Sequence, residues 1–342
     1  MTEPKTPELL LVAGVGRSGT SLMTGVLGGI GWHLPQPEVE ADETNPRGFS
    51  EPRWVVDFHQ KLLRAKRVTV NDARPAAFAD TRAAGERPAA REELRAWLKG
   101  EFAQSPAVAV KDPRTSWFLP LWAECARDIG VATSFVTMLR HPAEIIASAR
   151  KSYGTRQTAA SRAGAWINVT LVTELQTRGA RRAFVRYEDL IADWEREIRR
   201  VGTALGRPDL ATLSRTDHPA VDAFVDPTLH RNRVGWDEFD VPDRLRDLAE
   251  DVWRDVQLLV DPAADTAAVE ARLDAARTAY EQLYAESEAL AWSSITAAEK
   301  AARRASRNGS PAAAAAPSLR VRLARRIPAR YRSSVRRALG RS

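Results

Sequence analysis

The chain has 342 residues, 44% hydrophobic and 28% charged, a balance that builds a sizeable core and excludes collagen-like, mucin-like and wholly disordered chains. Its net charge of +7 is uneven: residues 301–342 hold twelve Arg and no acid, leaving 39 basic against 44 acidic residues before them, so the body is near −5 and the tail near +12. No stretch approaches the roughly 18 apolar residues of a membrane span, no export signal opens the chain, and one cysteine (Cys125) with five scattered histidines excludes an intramolecular disulfide and a zinc cluster, so a reducing cytoplasmic compartment is expected.

Leu9 to Val15 is a short apolar run ending in glycine, the signature of a buried parallel strand entering a turn, and Thr20 to Ile30 reads as a helix. Ser50 reads as an N-cap, with Pro52 in the first turn of a helix that carries Trp54, Val55, Phe58 and Leu62 on one face. Pro75 to Arg91, rich in Ala, Arg, Gly and Pro, reads as a surface excursion. Further apolar runs at Ala107 to Val110, Ser134 to Leu139 and Ala183 to Tyr187 alternate with helical segments, the rhythm of an α/β sheet covered on both faces.

From Asp265 the spacing of Val269, Leu273, Ala276, Tyr280, Leu283 and Leu290 predicts a long helix whose narrow seam lies against its own domain, with a dimer contact as the alternative. After Asn308 a Gly-Ser-Pro-Ala stretch forms a linker into the Arg-rich end. There Leu319, Val321, Leu323, Ile327, Tyr331, Val335 and Leu339 line one side of a basic helix broken at Pro328, a segment that is either solvated or laid on anionic lipid or polymer at the inner face of a membrane. The expected organisation is a flexible N-terminus over 1–8, a catalytic domain over 9–262, a C-terminal helix over 263–307, and a linker with basic tail over 308–342.

Gly14-Val15-Gly16-Arg17-Ser18-Gly19-Thr20-Ser21 follows the first strand and opens a helix, so backbone N–H groups and the helix N-terminus form an anion cradle. The outer glycines stand at P-loop spacing, but Thr20 occupies the lysine position and the basic residue has moved forward to Arg17. A ligand with a single phosphate at this point fits better than a nucleoside triphosphate. Val110-Lys111-Asp112-Pro113 ends the next strand and puts Lys111 at the carboxyl edge of the sheet; Asp112 is open to a Mg²⁺-ligand role or to capping the next helix. Arg140 ends the strand after that, and Ser148 lies eight residues on in a helix begun near Pro142, so the two can converge on one phosphate. Glu51, ahead of Val55 and Phe58, faces the buried side at the helix mouth, where desolvation raises a carboxyl pKa towards that of a useful base; His59 is the second candidate base.

Gly16-Arg17-Ser18-Gly19-Thr20-Ser21 resembles the 5′-phosphosulfate loop of sulfotransferases that use 3′-phosphoadenosine 5′-phosphosulfate, in the Arg-Ser-Gly-Thr form of bacterial and Golgi-type members. Lys111-Asp112-Pro113 is similar to the Lys-Asp-Pro of tyrosylprotein sulfotransferases and their bacterial relatives, Arg140 with Ser148 to the family's 3′-phosphate motif, and Asn45-Pro46-Arg47-Gly48-Phe49-Ser50-Glu51 to its Asn-Pro-x-Gly-x-x-Glu stretch. The resemblance spans about residues 8–240. It implies a P-loop-type three-layer α/β/α fold with a central parallel sheet, a metal-independent transfer of the sulfuryl group to a hydroxyl or amine, and charge stabilisation by Arg17 and Lys111 with Glu51 or His59 as base. It also implies a closing loop over the nucleotide, for which Arg231 and Arg233 are the candidates and His230 a weaker one. The acceptor class it favours is a glycan, glycolipid or small metabolite. The competing readings are a Mg²⁺-dependent P-loop kinase using Asp112 and a polyanion-binding protein acting through its basic tail.

Overall fold

The computed structural model describes residues 7–40, 48–154, 157–225 and 234–307. Four strands, β1 (Glu8–Ala13), β2 (Ala107–Lys111), β3 (Ala132–Leu139) and β4 (Arg181–Arg186), form one parallel sheet in the order β2-β1-β3-β4. Val12 lies opposite Lys111, Ala13 opposite Thr137 and Leu139 opposite Arg186. Leu9 to Val12 are completely buried, as the unbroken apolar run requires of a strand covered on both faces. The strand stops two residues before Val15 because Gly14 turns the chain out of the sheet with a φ of +137°.

Helices α1 (Thr20–Gly29), α2 (Arg53–Lys66), α3 (Ala77–Gly85) and α4 (Pro88–Phe102) separate β1 from β2; α5 (Leu119–Asp128) separates β2 from β3; α6 (Pro142–Tyr153) and α7 (Ala159–Gln176) precede β4. Beyond it come α8 (Tyr187–Ala192), α9 (Trp194–Ala204), the short α10 (Pro208–Ala211) and α11 (Pro219–Phe224), then α12 (Asp243–Val256) and α13 (Thr266–Arg307). One sheet face, with Leu10, Val12, Val136, Met138 and Val185, packs on α1, α8 and α9 through residues such as Met23, Leu190 and Ile198. Strand side chains alternate between faces, and α4 and α5 pack against β2 and β3. The fold is therefore α/β with helices flanking a central parallel sheet. The chain leaves β1 towards β2 on one side and returns to β3 on the other, so the carboxyl end of β1 is the switch point where open sheets of this kind place their ligands.

Two expectations are corrected. Pro75 to Arg91 is not a surface excursion: it holds α3 and the start of α4, with Ala77 and Ala84 completely buried. Its alanines and arginines are good helix formers, and Pro88 opens α4 at a first-turn position rather than breaking a helix. Ser50 is not an N-cap. It takes a left-handed φ of +50°, and α2 starts at Arg53 because Glu51 and Pro52 pair with 37–39, with the Val39 N–H on the Glu51 carbonyl and the Arg53 N–H on the Pro37 carbonyl, both at 2.8 Å.

The chain divides into two units, Met1–Tyr280 and Glu281–Ser342. Within the first, Val269, Leu273, Ala276 and Tyr280 of α13 are buried, the Tyr280 hydroxyl donates to the Ala73 carbonyl at 2.6 Å, and Arg178 and Arg182 pair with Asp274 and Glu270. The expected seam is thus buried against its own body as far as Tyr280. Of the second unit, the structure describes the remainder of α13, on which Leu290 is exposed. The linker and basic tail, 308–342, lie outside the described residues. Among those described, no helix is long and apolar enough to cross a membrane.

Candidate functional site

The segment from Gly14 to Gly19 connects β1 to α1 with a backbone only glycine takes comfortably at its two ends. A Cβ on Gly14 would come within 2.7 Å of the Met138 carbonyl oxygen, and one on Gly19, at φ +98°, within 2.3 Å of the Tyr187 ring. Arg17 takes a left-handed φ of +76° without being glycine. No side chain caps α1 and no acid stands in its first turn, so its leading N–H groups have no partner within the helix and face forward with the positive end of the dipole. Gly16 borders open space: the nearest atoms to a Cβ there would be Asn71 Oδ1 and Pro113, each 4.0 Å away, so any side chain would fill room beside the cradle.

Around this loop the structure brings three expected residues together. The Arg17 guanidinium donates from Nε to Ser148 Oγ at 3.0 Å, and Arg140 donates from Nη1 to the Arg17 carbonyl at 3.3 Å. Arg140 is itself fixed by Glu144 at 2.9 Å, by the face of Tyr187 at 4.3 Å, and through its carbonyl by the Trp166 indole N–H at 3.3 Å. Two buried polar atoms here, Arg140 Nη2 and Ser18 Oγ, have no hydrogen-bond partner among the described residues. Thr20 is buried and caps nothing; its carbonyl accepts from Thr24.

Lys111 ends β2 and is almost completely buried, with Nζ donating to Ser21 Oγ at 3.1 Å, the Phe49 carbonyl at 2.9 Å and Glu51 Oε1 at 2.6 Å. Ser21 also donates to the Phe49 carbonyl at 3.0 Å, which ties the first turn of α1 to the segment that carries Glu51. Burial pushes the Glu51 carboxyl above its ordinary range, with the Lys111 ammonium pulling against it. Glu51 Oε2 is left facing Arg114 Nη1 at 4.0 Å, too long for a hydrogen bond.

His59 takes a different position from its rival. It has no solvent exposure; Nε2 accepts from the Trp122 indole N–H at 2.8 Å, which leaves Nδ1 to donate to Asp112 Oδ2 at 2.7 Å. Both ring nitrogens are spent, and burial holds its pKa below the usual imidazole value. Asp112 is equally committed, since Oδ1 accepts from the Arg114 backbone N–H at 3.1 Å and from Arg114 Nη1 at 2.6 Å. Burial alone would raise the Asp112 pKa, but His59 and Arg114 carry it below the ordinary carboxylate range. With both oxygens occupied by protein donors, Asp112 caps the turn after β2 and offers no open side to a Mg²⁺ ion.

A cavity of about 790 Å³ opens in front of the loop, bordered by Gly16, Arg17, Glu51 and Arg114. His59 and Asp112 do not border it. His230, Arg231 and Arg233, and Asn45 to Arg47, lie outside the described residues. Tyr187, whose Tyr-Glu-Asp-Leu run at 187–190 reads from the sequence as structural, forms the floor beneath Gly19 and Arg140. Sequence reasoning missed Ser116 as acceptor of the Gly14 N–H at 3.3 Å and Arg162 in the cavity wall, and nothing local marks either.

Among solved structures, the chain is similar to the sulfotransferase domain of the Synechococcus PCC 7002 olefin synthase, at 17% identity with a TM-score of 0.36 over 83% of this chain and 96% of that one. No curated protein matches it. Residues 8–211, more than half of the chain and every described residue discussed above as a site candidate, match the model of the Sulfotransferase family, and the chain belongs to that family.

Proposed function

We propose that this protein transfers the sulfuryl group of 3′-phosphoadenosine 5′-phosphosulfate to a hydroxyl or amine of a glycan, glycolipid or small metabolite. The observation that carries the reading is the convergence of three separate segments at adjacent strand ends: the uncapped loop with Arg17, the buried Lys111–Glu51 pair, and Arg140 with Ser148. The residues fit such a donor. The glycine-lined cradle and the first amides of α1 suit its 5′-phosphate, and Arg140 with Ser148 suits its 3′-phosphate. When bound, the donor supplies an activated sulfur with 3′,5′-ADP as its leaving group.

The acceptor oxygen attacks sulfur in line as its proton passes to the Glu51 carboxylate, the bond from sulfur to the bridging phosphate oxygen breaks, and the electron pair stays with 3′,5′-ADP. Glu51 Oε1 is held by Lys111, which keeps Oε2 as the oxygen that takes the proton. Lys111 and Arg17 oppose the negative charge that builds on the transferring group and on the bridging oxygen, together with the amides at the start of α1. His59 acts one step back, holding Asp112 and through it Arg114 beside Glu51.

The test is calorimetric titration with 3′,5′-ADP against 5′-ADP, in EDTA, on the full chain and on Arg140→Ala. The wild type is expected to favour 3′,5′-ADP at least tenfold, about 1.4 kcal/mol, and the variant to lose most of that gap. Equal binding of the two nucleotides by the wild type would overturn the proposal.

A further inference from the structure

Arg162, in the first turn of α7, is 8% exposed and borders the cavity in front of the donor loop. Its Nη2 donates to the Gly154 carbonyl at 3.1 Å, and among the described residues no carboxylate stands within ion-pair distance of it. The other buried cations of the site are matched, Lys111 by Glu51 and Arg140 by Glu144, and half-buried Arg114 is matched by Asp112; half-buried Arg17, which has no carboxylate partner among the described residues, donates to Ser148 in the loop. Burial weakens the proton affinity of the Arg162 guanidinium, yet an arginine stays charged in proteins, so this wall of the cavity holds a positive charge that no carboxylate among the described residues pairs. Besides Glu51 and Arg162 the lining includes the apolar Phe49, Val56, Ile145 and Ala165.

We infer that the acceptor carries an oxyanion, a carboxylate or phosphate, which Arg162 binds while the reacting hydroxyl or amine lies at Glu51. The inference rests on the sulfuryl-transfer reading for the identity of the Glu51 end. It follows from chemistry: with one Nη2 hydrogen on Gly154 and Nε and Nη1 uncommitted among the described residues, the second Nη2 hydrogen together with Nε or Nη1 presents a two-pronged edge that matches two oxygens of one anion, and the apolar residues of the lining suit the body of an amphiphilic acceptor. The donor's phosphates are served separately by the loop, Arg17, Arg140 and Ser148.

The experiment uses the full chain saturated with 3′,5′-ADP and titrates three phenols: 3-(4-hydroxyphenyl)propanoate, its primary amide, and 4-hydroxyphenethyl phosphate. At least one anion is expected to bind tenfold or more tighter than the amide, and which one does so separates carboxylate from phosphate recognition. Arg162→Gln should shrink that preference below threefold with 3′,5′-ADP affinity within twofold of wild type, and Arg162→Lys, which keeps the charge without the fork, should retain part of it. The inference is overturned if the amide matches both anions, if none of the three binds, if the preference survives in Arg162→Gln, or if that variant loses 3′,5′-ADP affinity tenfold, which would assign Arg162 to the nucleotide. A wild-type chain that ignores 3′,5′-ADP but still prefers the anions would defeat the sulfuryl-transfer reading and leave the anion site standing.

Discussion

Arg17 sits at φ +76°, a backbone conformation that costs an L-residue about 1–2 kcal/mol, and a functional loop is where such a cost is tolerated. Its side chain makes one hydrogen bond, to Ser148 at 3.0 Å, and a distant contact with the face of Tyr153 at 5.9 Å. Arg17→Gly removes the backbone cost, loses a bond with a net contribution of about 1 kcal/mol, and adds roughly 0.5–1 kcal/mol of chain freedom in the unfolded state. These terms nearly cancel, so the stability of Arg17→Gly should stay within about 1 kcal/mol of wild type. Arg17→Ala keeps the backbone cost and loses the bond, and should be less stable by about 1 kcal/mol. Both should lose turnover, by about 10²–10³-fold, the usual effect of removing one preorganised charge stabiliser. Urea unfolding gives the stabilities, and release of 3′,5′-ADP from the sulfated donor with a phenolic acceptor gives the rates. A loss of more than about 2 kcal/mol in Arg17→Gly would mean that the arginine props the loop, and turnover within threefold of wild type would mean that it takes no part in transfer.

Glu51→Gln should lower turnover by about 10²–10⁴ while 3′,5′-ADP affinity holds within twofold, and equal losses in both would make the carboxylate structural. In wild type the base works as a carboxylate, so activity falls as pH drops through the Glu51 pKa, which burial has raised above the ordinary carboxylate range. Lys111 is the leading opposing influence, so Lys111→Met should move the acid limb of kcat/KM upward, and an unmoved limb would break the assignment. His59→Ala should cost about 3–5 kcal/mol by stranding Asp112 and the Trp122 indole, with the acid limb where it was; a stable variant with a displaced limb would transfer the base role to His59.

The sheet was legible because each strand is an apolar run closed by a sharp signal: Gly14 after β1, the Lys111-Asp112-Pro113 cluster after β2, Arg140 after β3. Lys111 and Arg140, proposed to act on the donor, were legible for the same reason, since they belong to those closing signals. What stayed hidden depends on partners far along the chain. His59 looks like a free imidazole until Asp112 and Trp122, 53 and 63 residues on, occupy both its nitrogens. Ser50 has the composition of an N-cap, but the pairing of Glu51 and Pro52 with 37–39 sets Glu51 ahead of the helix rather than within it. Arg162 reads as an ordinary helical arginine; only the fold shows it buried in the cavity wall with no carboxylate among the described residues within ion-pair distance.

The register of the sheet sets where this architecture tolerates change. Side chains alternate along β2, so inserting or deleting one residue between Ala107 and Lys111 would exchange the outlook of Lys111 with that of Val110, burying an ammonium among aliphatic side chains and withdrawing it from Glu51. The same event in β1 would displace the entire loop relative to Arg140. Length changes in these strands therefore act as nulls. The helical walls behave differently: Val56 and Gln60 on α2 are half-buried and Tyr153 on α6 is exposed, so each can change in size or polarity with less disturbance to the core than a change in a strand. Descendants of this chain can thus diverge in what they modify through point substitutions on these helices, while the strand ends proposed to hold the donor change in neither length nor phase.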